Sequence, residues 1–181
     1  MEQFPIHEIL TADHSTLTIY NRGIGGYTIP EMEETLDEQV FALEPSVIFI
    51  NIGTNDISDP ECTVEILIGR YEHLLLRIKD RLPDTKIYMM AYYPANNRDF
   101  TVPEVIRELM ESRVRKIESA NQEVRKLAEK LGLIFINVNE GLSDETGLLK
   151  KEYSIDGVHM YANGYRTVYQ NMKPYLYNDR G

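Results

Sequence analysis

Short runs of β-branched and other apolar residues alternate along this chain with longer stretches of helical spacing, and that alternation constrains the fold most. Residues 47–52 (VIFINI), 86–91 (KIYMMA) and 133–138 (LIFINV) are nearly continuous in apolar character, as strands covered on both faces are. Residues 16–20 (TLTIY) make a fourth strand candidate, closed by a glycine-rich turn. Helical patterns lie between these runs. One is entered at Pro30 and turns Met32, Leu36, Val40 and Leu43 inward. A second starts near Asp59 and Pro60 and carries Val64, Leu67, Ile68, Tyr71, Leu74, Leu75, Ile78 and Leu82. A third runs from about Pro103 to Lys130, with Ile106, Leu109, Val114, Ile117, Val124, Leu127 and Leu131 on its apolar side and Gly132 at its end. A last helix near residues 161–176 presents Tyr165, Val168, Tyr169, Met172 and Leu176. Strands joined by helical crossovers form parallel sheets covered by helices, so the expected class is α/β with a parallel sheet. In such sheets ligands bind beyond the carboxyl ends of the strands.

The 181 residues suit one domain, 1–181. With 19 Lys and Arg against 29 Asp and Glu, the net charge of −10 opposes binding to nucleic acid or anionic membranes. One cysteine, Cys62, excludes an internal disulfide framework and a cysteine-based zinc site. No apolar run approaches the length of a spanning helix, and residues 1–6 (MEQFPI) do not read as a signal peptide. A cytoplasmic protein without cofactor or metal is the expectation, since no His, Asp or Glu cluster has ligand spacing. The first 15 residues read as a polar leader with His7 and His14 exposed, and His73 reads as a surface residue. Arg107, Arg113, Arg115, Lys116, Arg125 and Lys126 read as a solvated helix face with Glu partners.

Three polar segments follow strands and could converge on one rim. Asp156 and His159 stand three apart before the last helix. The carboxylate can fix one imidazole nitrogen and leave the other as a general base, or it can simply cap the helix. Residues 21–26 (NRGIGG) can present backbone N–H groups to an anion, or can be a plain strand-to-helix turn. Gly53, Thr54, Asn55 and Asp56 follow the most apolar strand. Asn55 can aim its amide at a developing oxyanion, or cap the next helix through an Asx turn.

In this order the three segments resemble the SGNH (GDSL-type) hydrolases, serine esterases and acylhydrolases on a flavodoxin-like three-layer α/β/α fold. Small bacterial members compared with platelet-activating-factor acetylhydrolase are the most similar in texture. The resemblance implies that Gly26 N–H and the Asn55 amide form the oxyanion hole. It implies too that His159 is the base and Asp156 its orienting carboxylate. The family's first block, which carries the nucleophilic serine at the end of strand one, is not matched. Ser15, Ser46, Ser58, Ser112, Ser119, Ser143 and Ser154 all lie outside a Gly-x-Ser strand-to-helix turn.

The resemblance therefore implies an N-terminally incomplete domain with its first strand and its nucleophile expected upstream of residue 1. In the flavodoxin-like order 2-1-3-4-5 that strand lies between residues 16–20 and 47–52. Its loss leaves about five ladder groups on each side unpaired, at roughly 1 kcal/mol each. The gap could be filled by residues 1–15, by direct pairing of the flanking strands or by a second copy, and open edges favour a homodimer. The expected activity is hydrolysis of small carboxylic esters. A catalytically silent member binding acyl or carbohydrate ligands, or self-associating, is the alternative. A phosphate-binding module built on the turn at residues 23–26 is a third.

Overall fold

The computed structural model describes residues 2–177, which gather into two compact units. The first comprises Gly26–Tyr92 and Pro103–Asn137, the second residues 2–25, Tyr93–Val102 and 138–177.

The first unit holds the sheet. Its strands β1 (Val47–Ile50), β2 (Lys86–Met90) and β3 (Ile134–Ile136) are all parallel and lie in the order β1-β2-β3. Val47 opposes Lys86 in the first pairing and Tyr88 opposes Ile134 in the second. With its flanking helices this is the expected class, an α/β fold of the three-layer α/β/α kind. The helices of this unit are α2 (Ile29–Glu34), α3 (Leu36–Gln39), α4 (Thr54–Ser58), α5 (Val64–Arg81) and α6 (Glu104–Leu131). Ile50, Ile87 and Met89 from the sheet join Leu67, Tyr71, Leu74, Leu75 and Ile78 of α5 and Val124 and Leu127 of α6 in one core. Helix α5 starts where Thr63 accepts the Ile66 N–H at 3.3 Å, and it ends with Lys79 and Arg81 in the last turn, the sign its dipole favours.

Several expectations are corrected here. Residues 16–20 form no strand, although they alternate between half-buried and exposed as a pleated segment would. Alternation describes a surface, but a strand also needs a partner for its N–H and C=O groups. Among the described residues β1 pairs with β2 alone, so the flanking segments do not close the sheet directly. As an edge strand, β1 keeps Val47, Ile48 and Phe49 half-buried, and the strand buried on both faces is the central β2.

The helix read from Pro30 to Leu43 breaks at Thr35 into α2 and α3. Thr35 Oγ1 donates back to the carbonyls of Glu31 (3.2 Å) and Met32 (3.3 Å), a side-chain bond that competes with helix continuation. The start expected near Asp59 lies at Thr63, because α4 occupies the residues before it. On α6 the stripe begins later than its spacing suggests. Ile106 and Leu109 are exposed, while Met110, Ser112, Ala120, Val124, Leu127 and Ala128 are buried.

The face of α6 read as solvated is divided. Arg107 pairs with Glu104 and Lys126 with Glu123 on the surface, as expected. Lys116 instead reaches the carbonyls of Asp59 (2.8 Å), Pro60 (3.3 Å) and Cys62 (2.8 Å), and Ser112 Oγ donates to the Ile57 carbonyl at 2.9 Å. Helix α4 has only five residues, and α6 satisfies its Ile57 carbonyl and three carbonyls of the segment that follows it.

In the second unit the polar leader is corrected too. It contains α1 (Ile6–Ala12), with Ile6, Ile9 and Leu10 buried. The last helix, α7 (Ala162–Tyr177), buries Tyr165, Val168, Tyr169 and Met172 as its spacing predicts. Phe4 stacks on Tyr165 with ring centroids 5.2 Å apart, and Lys173 pairs with Asp13 at 2.6 Å. Among the described residues no helix is long and apolar enough to cross a membrane.

The adjacent residues Leu75 and Leu76 separate core from surface, the first fully buried and the second 47% exposed. Leu75→Ala is expected to lower the unfolding free energy by about 2–5 kcal/mol. Leu76→Ala should change it by no more than about 0.5 kcal/mol, with urea melts as the measurement.

Candidate active site

The Asp156–His159 pair is built by a short loop of the second unit. Ser154 and Met160 close it as an isolated antiparallel bridge, and Ile155 N–H donates to the His159 carbonyl at 2.9 Å. Ser154 Oγ takes the Gly157 N–H at 2.6 Å and donates to the His159 carbonyl at 3.1 Å. Within this frame Asp156 Oδ2 lies 2.7 Å from His159 Nδ1, while Oδ1 accepts the N–H groups of Val158 (3.0 Å) and His159 (2.8 Å). The reading of Asp156 as a cap of the last helix is corrected, because the two N–H groups it holds lie in the loop before α7 (Ala162–Tyr177): one carboxylate oxygen fixes that loop and the other holds the imidazole. With Nδ1–H donating to the carboxylate, Nε2 carries the lone pair. Burial pushes the Asp156 carboxyl up, but the His159 N–H, the His159 ring and the Val158 N–H outweigh it and hold it below the ordinary carboxylate value.

Asn96 anchors this loop from residues 93–102, and nothing local distinguishes it in the sequence from any polar residue of a loop. Fully buried, it donates its backbone N–H to the Gly157 carbonyl (2.8 Å) and its side-chain amide to Leu149 O and Asp99 Oδ2 (2.8 Å each). Its Oδ1 accepts the N–H groups of Arg98 and Asp99.

In the first unit, Gly53 to Asp56 follow β1 and open α4. Gly53 has φ +113°, and a Cβ there would meet Tyr92 Oη at 2.5 Å and Leu67 Cδ1 at 2.7 Å, so this position accepts only glycine. The Asn55 Nδ2 group donates to the Tyr27 carbonyl at 2.8 Å, and its Oδ1 accepts from Arg113 Nη2 at 3.1 Å. Asp56 is buried; Oδ2 accepts the Ile29 N–H at 2.9 Å and Oδ1 accepts from Arg70 at 3.0 Å. Asp56 thereby holds the start of α2, directly after the glycine turn. The inward turn of Arg113 corrects its reading as part of a solvated face. Its partners lie more than fifty positions away, where no local pattern reaches.

Gly26 sits in that turn with φ +83°, and a Cβ there would meet no atom within 4 Å. The preceding Gly25 donates its N–H to the Glu2 carboxylate at 2.8 Å, within the second unit. Asn21 steadies the turn by donating to the carbonyls of Glu2 and Phe4 (3.2 Å each) and accepting the Gly23 N–H at 3.1 Å.

The serine hydroxyls are mostly engaged. Ser58 donates to Thr54 O, Ser112 to Ile57 O and Ser119 to Lys116 O, while Ser15 accepts from Leu17 N–H and Tyr177 Oη. Of the remaining histidines, His7 and His14 are exposed and His73 lies 2.7 Å from Glu33 on the surface. Among the described residues no group of three or more His, Cys, Asp or Glu side chains could hold a metal ion.

Residues 6–167 match the model of the GDSL-like lipase/acylhydrolase family, and the chain belongs to it. A solved structure from Streptococcus pneumonia, provisionally described as a platelet activating factor, is 31% identical with a TM-score of 0.82, covering 97% of this chain and 79% of that one. An acetylxylan esterase from Geobacillus stearothermophilus shares the fold at 18% identity, with a TM-score of 0.71 and coverage of 95% and 78%. The N-acylneuraminate cytidylyltransferase of Escherichia coli is 27% identical over 156 residues, which cover 86% of this chain and 34% of that protein. This chain thus spans about a third of the length of that curated relative.

The lowered Asp156 value has a sign. A carboxyl depressed in the folded state stabilises the fold above its unfolded value, and that contribution disappears as pH falls through the folded value. Asp156→Asn is therefore expected to cost stability at neutral pH and to match the unmodified protein progressively more closely below about pH 4. Urea melts of both proteins between neutral and acid pH measure this. A constant difference across the range would show that the Asp156 charge contributes nothing.

Proposed function

We propose that this chain carries the base and the oxyanion donors of a serine esterase acting on carboxylic esters with small acyl groups. The observation that carries the reading is the 2.7 Å contact of His159 Nδ1 with an Asp156 carboxylate whose other oxygen is fixed by two backbone N–H groups. That arrangement sets the tautomer and leaves Nε2 to take a proton. As a serine Oγ attacks the acyl carbonyl, His159 Nε2 accepts its proton and the carbonyl π pair moves onto oxygen. The Asn55 Nδ2–H and the Gly26 N–H are the donors for that oxyanion. When the tetrahedral adduct collapses, the C–O bond to the leaving group breaks and His159 returns the proton to the departing alkoxide. Water then attacks the acyl-enzyme by the same route and releases the acid.

The attacking hydroxyl belongs to a serine outside the seven of this sequence. Five of the seven have their hydroxyls in the contacts described above, and Ser143, two positions after Gly141, lies in an isolated antiparallel bridge with Leu149 and not on a strand-to-helix turn. Ser46 precedes β1, at the end opposite to the one where ligands bind in parallel sheets. Membership of the acylhydrolase family supports ester hydrolysis as the reaction class.

The test is hydrolysis of p-nitrophenyl acetate by the natural full-length protein, alongside mass mapping of a fluorophosphonate adduct. His159→Ala is expected to lower kcat by about 10³-fold or more. Asn55→Ala should lower it by about 10²–10³-fold. Hydrolysis indifferent to His159→Ala, or an adduct on one of the seven serines, would overturn these assignments.

A further inference from the structure

We infer that Arg113 is a positioning residue that fixes which face of the Asn55 amide is presented as a donor; this rests on the reading of Asn55 as an oxyanion donor. An asparagine amide can rotate by half a turn with little change of shape, exchanging its NH₂ donor for its carbonyl acceptor. Two partners of opposite chemistry forbid that exchange. The Tyr27 carbonyl, 2.8 Å from Nδ2, can only accept. The Arg113 guanidinium, 3.1 Å from Oδ1, can only donate. A flipped amide would set oxygen against oxygen at one end and N–H against N–H at the other.

The bond to Tyr27 uses one of the two hydrogens on Nδ2, and the second is the one available to a developing negative charge. A cation on Oδ1 also draws electron density from the amide and makes that N–H a stronger donor.

Arg113 is itself held. Its Nε donates to Ser58 Oγ at 2.8 Å, and Ser58 Oγ donates onward to the Thr54 carbonyl at 2.7 Å. Thr54, Asn55 and Ser58 all belong to α4, so one planar guanidinium on α6 grips that short helix at two points. Lysine, with a single ammonium centre, reproduces one of these contacts but not the fixed fork.

The experiment compares Arg113→Met, Arg113→Lys, Asn55→Ala and the double variant Arg113→Met/Asn55→Ala in the full natural protein. It reads kcat and KM for p-nitrophenyl acetate together with the melting temperature. Arg113→Met is expected to lower kcat about 10–100-fold with KM nearly unchanged, a part of what losing the whole donor costs. Arg113→Lys should recover some of that loss. In the Asn55→Ala background Arg113→Met should change kcat by less than about 2-fold, because the residue it acts through is gone. An equal drop in both backgrounds would overturn the inference.

If the unmodified protein hydrolyses no ester, the esterase reading has failed and the side-chain NMR signals of Asn55 decide the positioning claim. The pair, assigned by its loss in Asn55→Ala, should be sharp in the unmodified protein and broadened by exchange in Arg113→Met. An unchanged pair in a folded Arg113→Met protein would overturn the inference.

Discussion

The sheet-bearing unit depends on one buried carboxylate. Asp56 has no exposed side-chain surface, and a charge so placed is tolerable only when it is fully hydrogen-bonded. It takes the Ile29 N–H on one oxygen and Arg70 on the other. The consequences run outward from there. Ile29 begins α2 two residues after Tyr27, and Tyr27 holds the Asn55 amide, the immediate neighbour of Asp56. A closed circuit thus links Asn55 and Asp56 beyond the end of β1, Tyr27 and the start of α2. Removing the carboxylate would strand the first N–H of α2 in a dry site and loosen the carbonyl that steadies Asn55.

Backbone close approach completes that circuit. Gly53 leaves room for Tyr92, whose buried hydroxyl donates to the Ile52 carbonyl at 2.9 Å. The tyrosine therefore satisfies a carbonyl at the point where β1 stops and α4 has not yet begun. The glycine, the asparagine and the aspartate of this short motif have three separate duties: space, donation and anchoring. None of the three could be exchanged for another of the same polarity.

What was legible in the sequence was whatever is encoded locally. The apolar runs that became β1, β2 and β3 could be read from their continuous hydrophobicity, although only the central β2 is buried along most of its length, and α7 could be read because its spacing matches one face. The Asp156–His159 pair was legible because it is local too, its partners being three positions apart. What failed depended on distant partners. Residues 16–20 have strand-like alternation but no ladder, and Arg113 and Lys116 turn toward α4 and the segment after it from a helix whose charges looked uniformly solvated. The break between α2 and α3 is instead local, at a threonine whose side chain competes with the backbone, which a hydrophobic pattern does not record. Charge on a helix face does not reveal which cations have unsatisfied carbonyls or an amide opposite them.

The two halves of the proposed chemistry differ in how far apart their partners lie along the chain. The imidazole and its carboxylate are three positions apart, inside a turn closed between Ser154 and Met160. Closing so small a loop costs little chain entropy, so that contact can re-form whenever the turn does. The Asn55 amide is held across 28 positions by Tyr27 and across 58 by Arg113. Contacts of that span exist only when the whole unit is folded and vanish with it cooperatively. Under mild denaturant or heat the protein should therefore lose the aim of its amide while the histidine still keeps its carboxylate, and a catalyst that fades in this order loses transition-state stabilisation before it loses basicity.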